Sequence, residues 1–401
     1  MTNACRHVAD RWLLLGALAV TWAAAAPAWA LDALVEKKVF SLSTYSTVGG
    51  VTLRNVRVGY ETYGRLNGAK DNVIFIAHMF LGTSHAAGRY KSNDAEPGYW
   101  DAIIGPGKPI DTERYFVVSA DSLAHTNARD PNVVTTGPLS IDPDSGRPYG
   151  TRFPLIALRD HVAVHKALLD SLGIRRVHAV AGWSMGAMQA YDWAAAYPGY
   201  VQRVVAVGGS AQPDAYAIGW LNIWAQPVLL DARWKQGNYA AGEEPEEGLA
   251  ASIRALVQTV AHHGWIDGVF GNKWAAEGKD PATAMDHGFA WESQLAAFGQ
   301  QFGPLLDANS YLLNLKAIQT FVVGRADSVE AGLAKIKAPV LVVGTPTDVL
   351  VIEPTLKRDV EILRRNGLKV RYVPLEGPMG HLEGRFGIAR AGDAIREFLL
   401  Q

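Results

Sequence analysis

Residues 177–190 read VHAVAGWSMGAMQA: an apolar run that ends in Gly182-Trp183-Ser184-Met185-Gly186 and passes into small residues at Ala187 and Ala190. That order predicts a strand, a sharp turn bearing Ser184, and a helix. A nucleophile on a strained turn leaves no room for side chains where strand and helix press together, and Gly182 and Gly186 meet that demand. The first N–H groups of a helix have no partner within it, so the Met185 amide is the candidate first donor to an oxyanion formed beside Ser184. A G-x-S-x-G also arises by chance in a chain with 40 glycines among 401 residues. The strand before it and the helix after it make this one specific.

The text around the turn predicts the rest of the scaffold. Residues 39–64 alternate and are rich in Val, Thr and Tyr, with Gly49-Gly50 as a turn, the pattern of an antiparallel hairpin. Residues 72–77 (NVIFIA), 115–120, 201–207 and 339–344 (PVLVVG) are short continuous apolar runs, as in strands buried on both faces. Residues 155–172 carry Val162, Val164, Leu168 and Leu169 at helical spacing and stop at Gly173. Helices are also predicted over 359–366 and 389–400, and a last strand over 369–374. Alternating strands and helices imply an α/β fold with a mostly parallel sheet and helices on both faces. Between 212 and 331 the text turns to helices rich in Trp, Ala and His, the pattern of a helical lid inserted across the carboxyl end of the sheet. The expected organisation is an export signal over 1–30, a first part of the core over 31–211, the lid over 212–331 and the second part of the core over 332–401.

A serine hydroxyl is a weak nucleophile and needs a base, which in turn needs an orienting acid. On this kind of sheet the chain order is Ser, then Asp, then His. Asp348 follows PVLVVG in a Thr-Pro-Thr-Asp turn, and His381 lies on the loop after the last strand. Ser184, Asp348 and His381 are therefore the candidate catalytic residues. The loop after residues 72–77 is where a second oxyanion donor belongs, and the Phe80 amide is the candidate. Trp183, Phe80, Trp220 and Trp224 fit an apolar substrate pocket, with Trp183 the substrate-binding candidate. His78, His85, His161, His165, His178, His262 and His263 lack metal-ligand spacing with carboxylates, so no metal and no cofactor is expected.

A formal net charge of -1 leaves no electrostatic footprint for nucleic acid. Arg6 and Arg11 precede an apolar run over 12–26 that ends at Pro27-Ala28-Trp29-Ala30, the pattern of a secretory signal with an A-x-A cleavage site; an uncleaved anchor is the other reading. The single cysteine, Cys5, leaves with a cleaved signal, which suits an oxidising compartment. The expected location is periplasmic or secreted, with no membrane contact after signal removal.

GYWDAIIGPGKPIDTERYFVV at 98–118, TGPLSIDPDSGRPYG at 136–150, the elbow, and LDANSYL at 306–312 together resemble the homoserine O-acetyltransferase family over nearly the whole mature chain. The resemblance implies an α/β-hydrolase fold with a helical lid, dimeric through that lid, moving acetyl from acetyl-CoA to homoserine. Ser184, Asp348 and His381 match the family's triad, and Phe80 and Met185 its oxyanion amides. Three departures bear on substrate. Trp183 stands where the family shows the second Gly of G-G-S-M-G. Ala225-Gln226-Pro227-Val228 stands where an R-Q-A-I stretch holds homoserine's carboxylate. Leu382 replaces the aspartate that meets the substrate amine. An amino acid's charges would lack partners there, so the expectation is hydrolysis of a small acyl substrate by an exported enzyme. Acetyl transfer from acetyl-CoA as co-substrate to an alcohol is the alternative.

Overall fold

In the computed structural model, which describes residues 34–401, the alternating text pairs as an antiparallel hairpin of β1 (Lys38–Ser46) and β2 (Thr52–Tyr63). Gly50 takes φ 84° in the connecting turn, a left-handed value that glycine adopts without a Cβ clash. The expected export signal at 1–30 lies outside the described residues.

The short apolar runs become the interior of the sheet. They form β3 (Val73–Ala77), β6 (Phe116–Ala120), β7 (Ala179–Trp183), β8 (Val204–Val207) and β9 (Val340–Gly344); β10 (Val370–Pro374), which carries Arg371 and is not fully buried, is the edge strand beside β9, while β4 (Ile104–Gly105) and β5 (Ile110–Asp111) pair separately. The main sheet has eight strands in the order β1-β2-β6-β3-β7-β8-β9-β10. β2 runs antiparallel to β1 and β6, and every other pairing is parallel.

Successive residues of each strand serve opposite cores. Val73, Phe75 and Ala77 join the side containing α1 (Leu158–Ser171) and α2 (Met185–Ala196), whereas Ile74 and Ile76 join Ile395 and Phe398 of the C-terminal helix. This is why these strands read as continuous apolar runs without alternation. Each fully buried Val, Ile or Phe contributes about 1.5–3 kcal/mol.

Six helices follow β8: α3 (Ala215–Leu230), α4 (Glu246–Val260), α5 (His263–Val269), α6 (Ala290–Phe302), α7 (Ala308–Gln319) and α8 (Val329–Leu333). The chain leaves and re-enters the sheet at one neck, where the Val323 N–H donates to Ala211 O at 2.9 Å. From there the insertion reaches loops at the carboxyl ends of the strands. Asn314 Nδ2 donates to Ala124 O at 2.6 Å, and the Asp307 N–H donates to Thr126 O at 3.0 Å. After β9 come α9 (Glu353–Arg365), α10 (Glu383–Phe386) and α11 (Gly392–Leu400). Among the described residues no helix is long and apolar enough to cross a membrane.

Element boundaries differ from expectation where local chemistry allowed two starts. α9 begins at Glu353 and not at 359, because Pro354 sits in its first turn, where a missing N–H costs no hydrogen bond. The last helix begins at Gly392 after a 3₁₀ turn over Ile388–Ala391. Val201 contributes only an isolated bridge to Val177 before β8 starts at Val204.

Four histidines, His78, His125, His161 and His165, are buried together under the carboxyl edge of β3 and β6. Burial favours the neutral ring and lowers His78 to about 3 and His165 to about 4, with His125 and His161 also held well below the usual value. An unfolded chain takes up these protons near pH 6.5. The stability they favour is therefore complete above about 6.5 and is lost as the pH falls from there towards about 3. Urea unfolding followed by tryptophan fluorescence is expected to give a midpoint nearly constant between pH 8 and 7 that falls steadily below 6.5. His161→Leu should make that fall shallower.

Candidate active site

Ser184 sits between β7 and α2 at φ 58°, ψ −121°, a region that costs a non-glycine residue of order 1–3 kcal/mol unless its surroundings hold it there. They do so through the backbone. The Ser184 N–H donates to Val207 O at 2.9 Å, and Ser184 O accepts from the Ala187 N–H at 2.9 Å and the Met188 N–H at 3.2 Å. Both glycines of the elbow are required by close approach: a β-carbon on Gly182 would collide with the Gly186 backbone, and one on Gly186 with the Ala77 carbonyl oxygen. The turn is thus pressed against the end of β3.

His381 lies in a 3₁₀ turn after β10, and its Nε2 is 2.8 Å from Ser184 Oγ. Its Nδ1 is 2.6 Å from Asp348 Oδ2, and Asp348 Oδ1 accepts the N–H groups of Leu350 at 2.8 Å and Val351 at 2.9 Å. An ionised carboxylate can only accept, so Nδ1 carries the hydrogen and the Nε2 lone pair faces the serine hydroxyl. Both side chains are buried, which strengthens these contacts. The structure brings Ser184, Asp348 and His381 into one hydrogen-bonded line from three loops that are distant in sequence.

Phe80 occupies a turn closed by the Gly82 N–H on Met79 O at 2.9 Å. Its ring packs at 5.0 Å from Tyr311 and 6.5 Å from Trp224, so the oxyanion-loop candidate and two insertion helices share one aromatic wall. Among the described residues, neither the Phe80 nor the Met185 N–H has an acceptor in the chain. Trp183, the substrate-binding candidate, lies beside His381. It is 5% exposed, its ring centroid lies 5.4 Å from that of His381, and Gly384 gives it room, since a β-carbon there would strike the indole. Trp183 backs the imidazole from the α11 side of the sheet. No cluster of His, Cys, Asp and Glu among the described residues has the geometry to hold a metal ion.

A buried charge network under the loop had no signal in the sequence. Lys37 Nζ lies 3.0 Å from Glu61 and 3.3 Å from Asp121, and Asp121 Oδ1 accepts the Ser84 N–H at 2.8 Å. Burial works to raise Glu61, but the His85 hydrogen bond, the Lys37 charge and the Tyr90 hydroxyl together bring it down to about 2. These partners come from β2, the end of β6 and the segment before β1, at separations that no local pattern marks.

Residues 77–351 match the alpha/beta hydrolase fold family. The homoserine O-acetyltransferase of Methanococcoides burtonii is 38% identical over 333 residues, 83% of this chain and 67% of its own. That of Symbiobacterium thermophilum is 36% identical over 358 residues, 87% of this chain and 90% of its own. The chain belongs to the homoserine O-acetyltransferase family of α/β-hydrolases. Solved structures of two activities share this fold. The homoserine O-acetyltransferase from Bacillus anthracis superposes with a TM-score of 0.87 at 33% identity, covering 92% of this chain and 98% of its own. Esterase E22 superposes with a TM-score of 0.87 at 44% identity, covering 91% and 100%. Family membership makes the protein an acyl-transferring or hydrolytic enzyme, and the acceptor is a matter for the side chains around Ser184. Asp348→Asn should leave the fold intact but present the wrong histidine tautomer to Ser184. A fall of roughly 10³–10⁴ in kcat for p-nitrophenyl acetate is expected, with an unchanged melting temperature.

Proposed function

We propose that the protein is an exported serine hydrolase that cleaves a small, largely apolar carboxylic ester. The observation that carries this reading is the hydrogen-bonded line from Asp348 through His381 to Ser184, with Leu382 directly beside the histidine. His381 takes the Ser184 proton as Oγ attacks the acyl carbon, and the carbonyl oxygen becomes an oxyanion facing the Met185 and Phe80 amides. Each such donor is commonly worth about 3 kcal/mol in the transition state. Collapse expels the alcohol, which receives its proton from His381, and leaves an acyl-enzyme. Water, deprotonated by His381, then attacks and releases the acid. No cofactor enters these steps.

Leu382 and the Ala225-Gln226-Pro227-Val228 stretch of α3 favour water and a neutral substrate over an amino-acid acceptor. An unpaired ammonium or carboxylate in such surroundings costs several kcal/mol. The second reading, acetyl transfer from acetyl-CoA to an alcohol, is favoured by the curated relatives named above. The discriminating assay uses protein beginning at Leu31, with p-nitrophenyl acetate and butyrate, with and without homoserine, and with acetyl-CoA as donor in parallel. Ester turnover that ignores homoserine and is lost in Ser184→Ala supports hydrolysis. Turnover that requires acetyl-CoA and an acceptor would replace it with transfer.

The partners of this reading are a small acyl substrate and a second copy of the chain; nucleic acid and membrane have no part in it, and a periplasmic or secreted location follows from the residues at 6–30. The dimer has support in α3, which is apolar on two sides. Ala217, Leu221, Trp224 and Val228 face the protein, while Tyr216, Trp220, Ile223, Pro227 and Leu230 follow one another at alternating spacings of four and three on the outer side. Tyr216, Ile223 and Leu230 are exposed there. Ile223→Asp is expected to convert a dimer to a monomer by light scattering, with the melting temperature changed little. A wild-type monomer at micromolar concentration would sink the dimer.

A further inference from the structure

His78, the residue after β3, is buried and takes no part in the steps above, yet it touches the peptide group that supplies one of the two oxyanion donors. Its Nδ1 lies 2.8 Å from Met79 O and its Nε2 2.8 Å from Ser122 Oγ. A carbonyl oxygen can only accept, so Nδ1 carries the hydrogen; in the neutral ring Nε2 then holds a lone pair, and the Ser122 hydroxyl donates to it. The Met79 carbonyl therefore selects the tautomer, and the Ser122 hydroxyl holds the far nitrogen of the ring in place. Burial keeps the ring neutral at all working pH values.

The Met79 C=O and the Phe80 N–H are two ends of one peptide unit. That unit is planar and trans, so the carbonyl and the N–H point in opposite directions, and whatever fixes one aims the other. His78 holds the oxygen end from the side of the core. The Gly82 N–H donates to the same oxygen at 2.9 Å, closing the turn, and Thr126 Oγ1 holds the next carbonyl, that of Phe80, at 2.8 Å. A donor on an amide oxygen also draws electron density through the conjugated C–N bond, which makes the N–H at the other end a stronger donor. Position matters as much as direction. Gly186 abuts Ala77 O, and a β-carbon there would lie 3.1 Å from His78 O, so the first turn of α2 and the His78 backbone share one contact. The His125 ring packs against the His78 ring at 4.8 Å, tilted by 39°, which restricts its movement.

We propose that His78, fixed as the Nδ1–H tautomer by the Met79 carbonyl and anchored at Nε2 by Ser122, is a positioning residue for the oxyanion hole: it sets the Met79–Phe80 peptide plane so that the Phe80 N–H meets the oxyanion formed at Ser184. This rests on the roles given above to Ser184 and the Phe80 amide.

The test uses the full mature chain and four variants: His78→Leu, which removes the donor; His78→Asn, whose Nδ2 stands where Nδ1 stood; Ser122→Ala, which removes the anchor at Nε2 and lets the ring turn away; and Ser184→Ala. Each is assayed for kcat and KM on p-nitrophenyl acetate, for inhibition by phenylboronic acid, whose tetrahedral adduct places an oxygen in the oxyanion hole, and for thermal unfolding. Losing a whole oxyanion donor costs roughly 10²–10³ in kcat, so a donor present but misdirected should cost roughly 10–100-fold. The expected result is that loss in His78→Leu with KM within about twofold, a matching loss of boronate affinity, recovery of most of both in His78→Asn, and a smaller loss of the same kind in Ser122→Ala. A folded His78→Leu with unchanged kcat and boronate affinity overturns the proposal, and so does a loss that Asn fails to restore. If His78→Leu does not fold, Ser122→Ala decides, and unchanged kcat and boronate affinity there overturn it. Activity surviving in Ser184→Ala would overturn the nucleophile assignment itself, a failure distinct from that of His78.

Discussion

The contact on which the site depends is the approach of the first turn of α2 to the end of β3. No side chain separates Gly186 from the Ala77 carbonyl, and none separates Gly182 from Gly186. Closing that gap puts Ser184 into its left-handed conformation and sets the free amides at the start of α2 beside the loop that leaves β3. The strain at Ser184 is local, and the parallel pairing of β7 with β3 and β8 on either side is what sustains it. A sheet buried on both faces can hold such a turn because neither neighbour can yield without opening a core.

Around this contact the polar groups are arranged in shells with different tolerance for change. Asp348 and His381 arrive on loops after β9 and β10 with few bonds each: Asp348 is held by the Leu350 and Val351 N–H groups and by His381, which meets Ser184. The oxyanion-side loop is held more heavily. Asp121 and Thr126 grip its backbone, and Glu61 gathers Lys37, Ser84, His85, Tyr63 and Tyr90. Buried charge of this kind is costly unless every partner is present, so the segment before β1 is tied to the site although it lies at the sheet's outer edge.

The family relation and the departures from it occupy different layers of the molecule. The α/β-hydrolase scaffold is shared with an acetyltransferase and with an esterase alike. In the proposed reading the acceptor is chosen by a few positions on that scaffold. Leu382 lies next to the histidine, Trp183 behind it, and α3 carries no arginine where the relatives' lid is expected to hold one. A scaffold that generates an acyl-enzyme serves either outcome, and the chemistry of the next nucleophile depends on which charges its pocket can pair.

Much of this was legible in the chain because the relevant signals are local. Five continuous apolar runs, a glycine-flanked serine, an aspartate just past one strand and a histidine just past the last are patterns within ten residues, and secondary structure responds to neighbours at that range. The sequence by itself determined the α/β scaffold and the three side chains that meet at Ser184. Tertiary structure alone decided which face of the sheet Trp183 would join, which apolar side of α3 is left exposed, and that Lys37, Glu61, Asp121, His78 and Ser122 would surround the loop bearing Phe80. Those outcomes depend on pairings between residues far apart in the chain, 84 positions for Lys37 and Asp121 and 198 for Trp183 and His381. Burial and hydrogen bonding at that range arise only when the chain closes on itself, so no window of the sequence carries them.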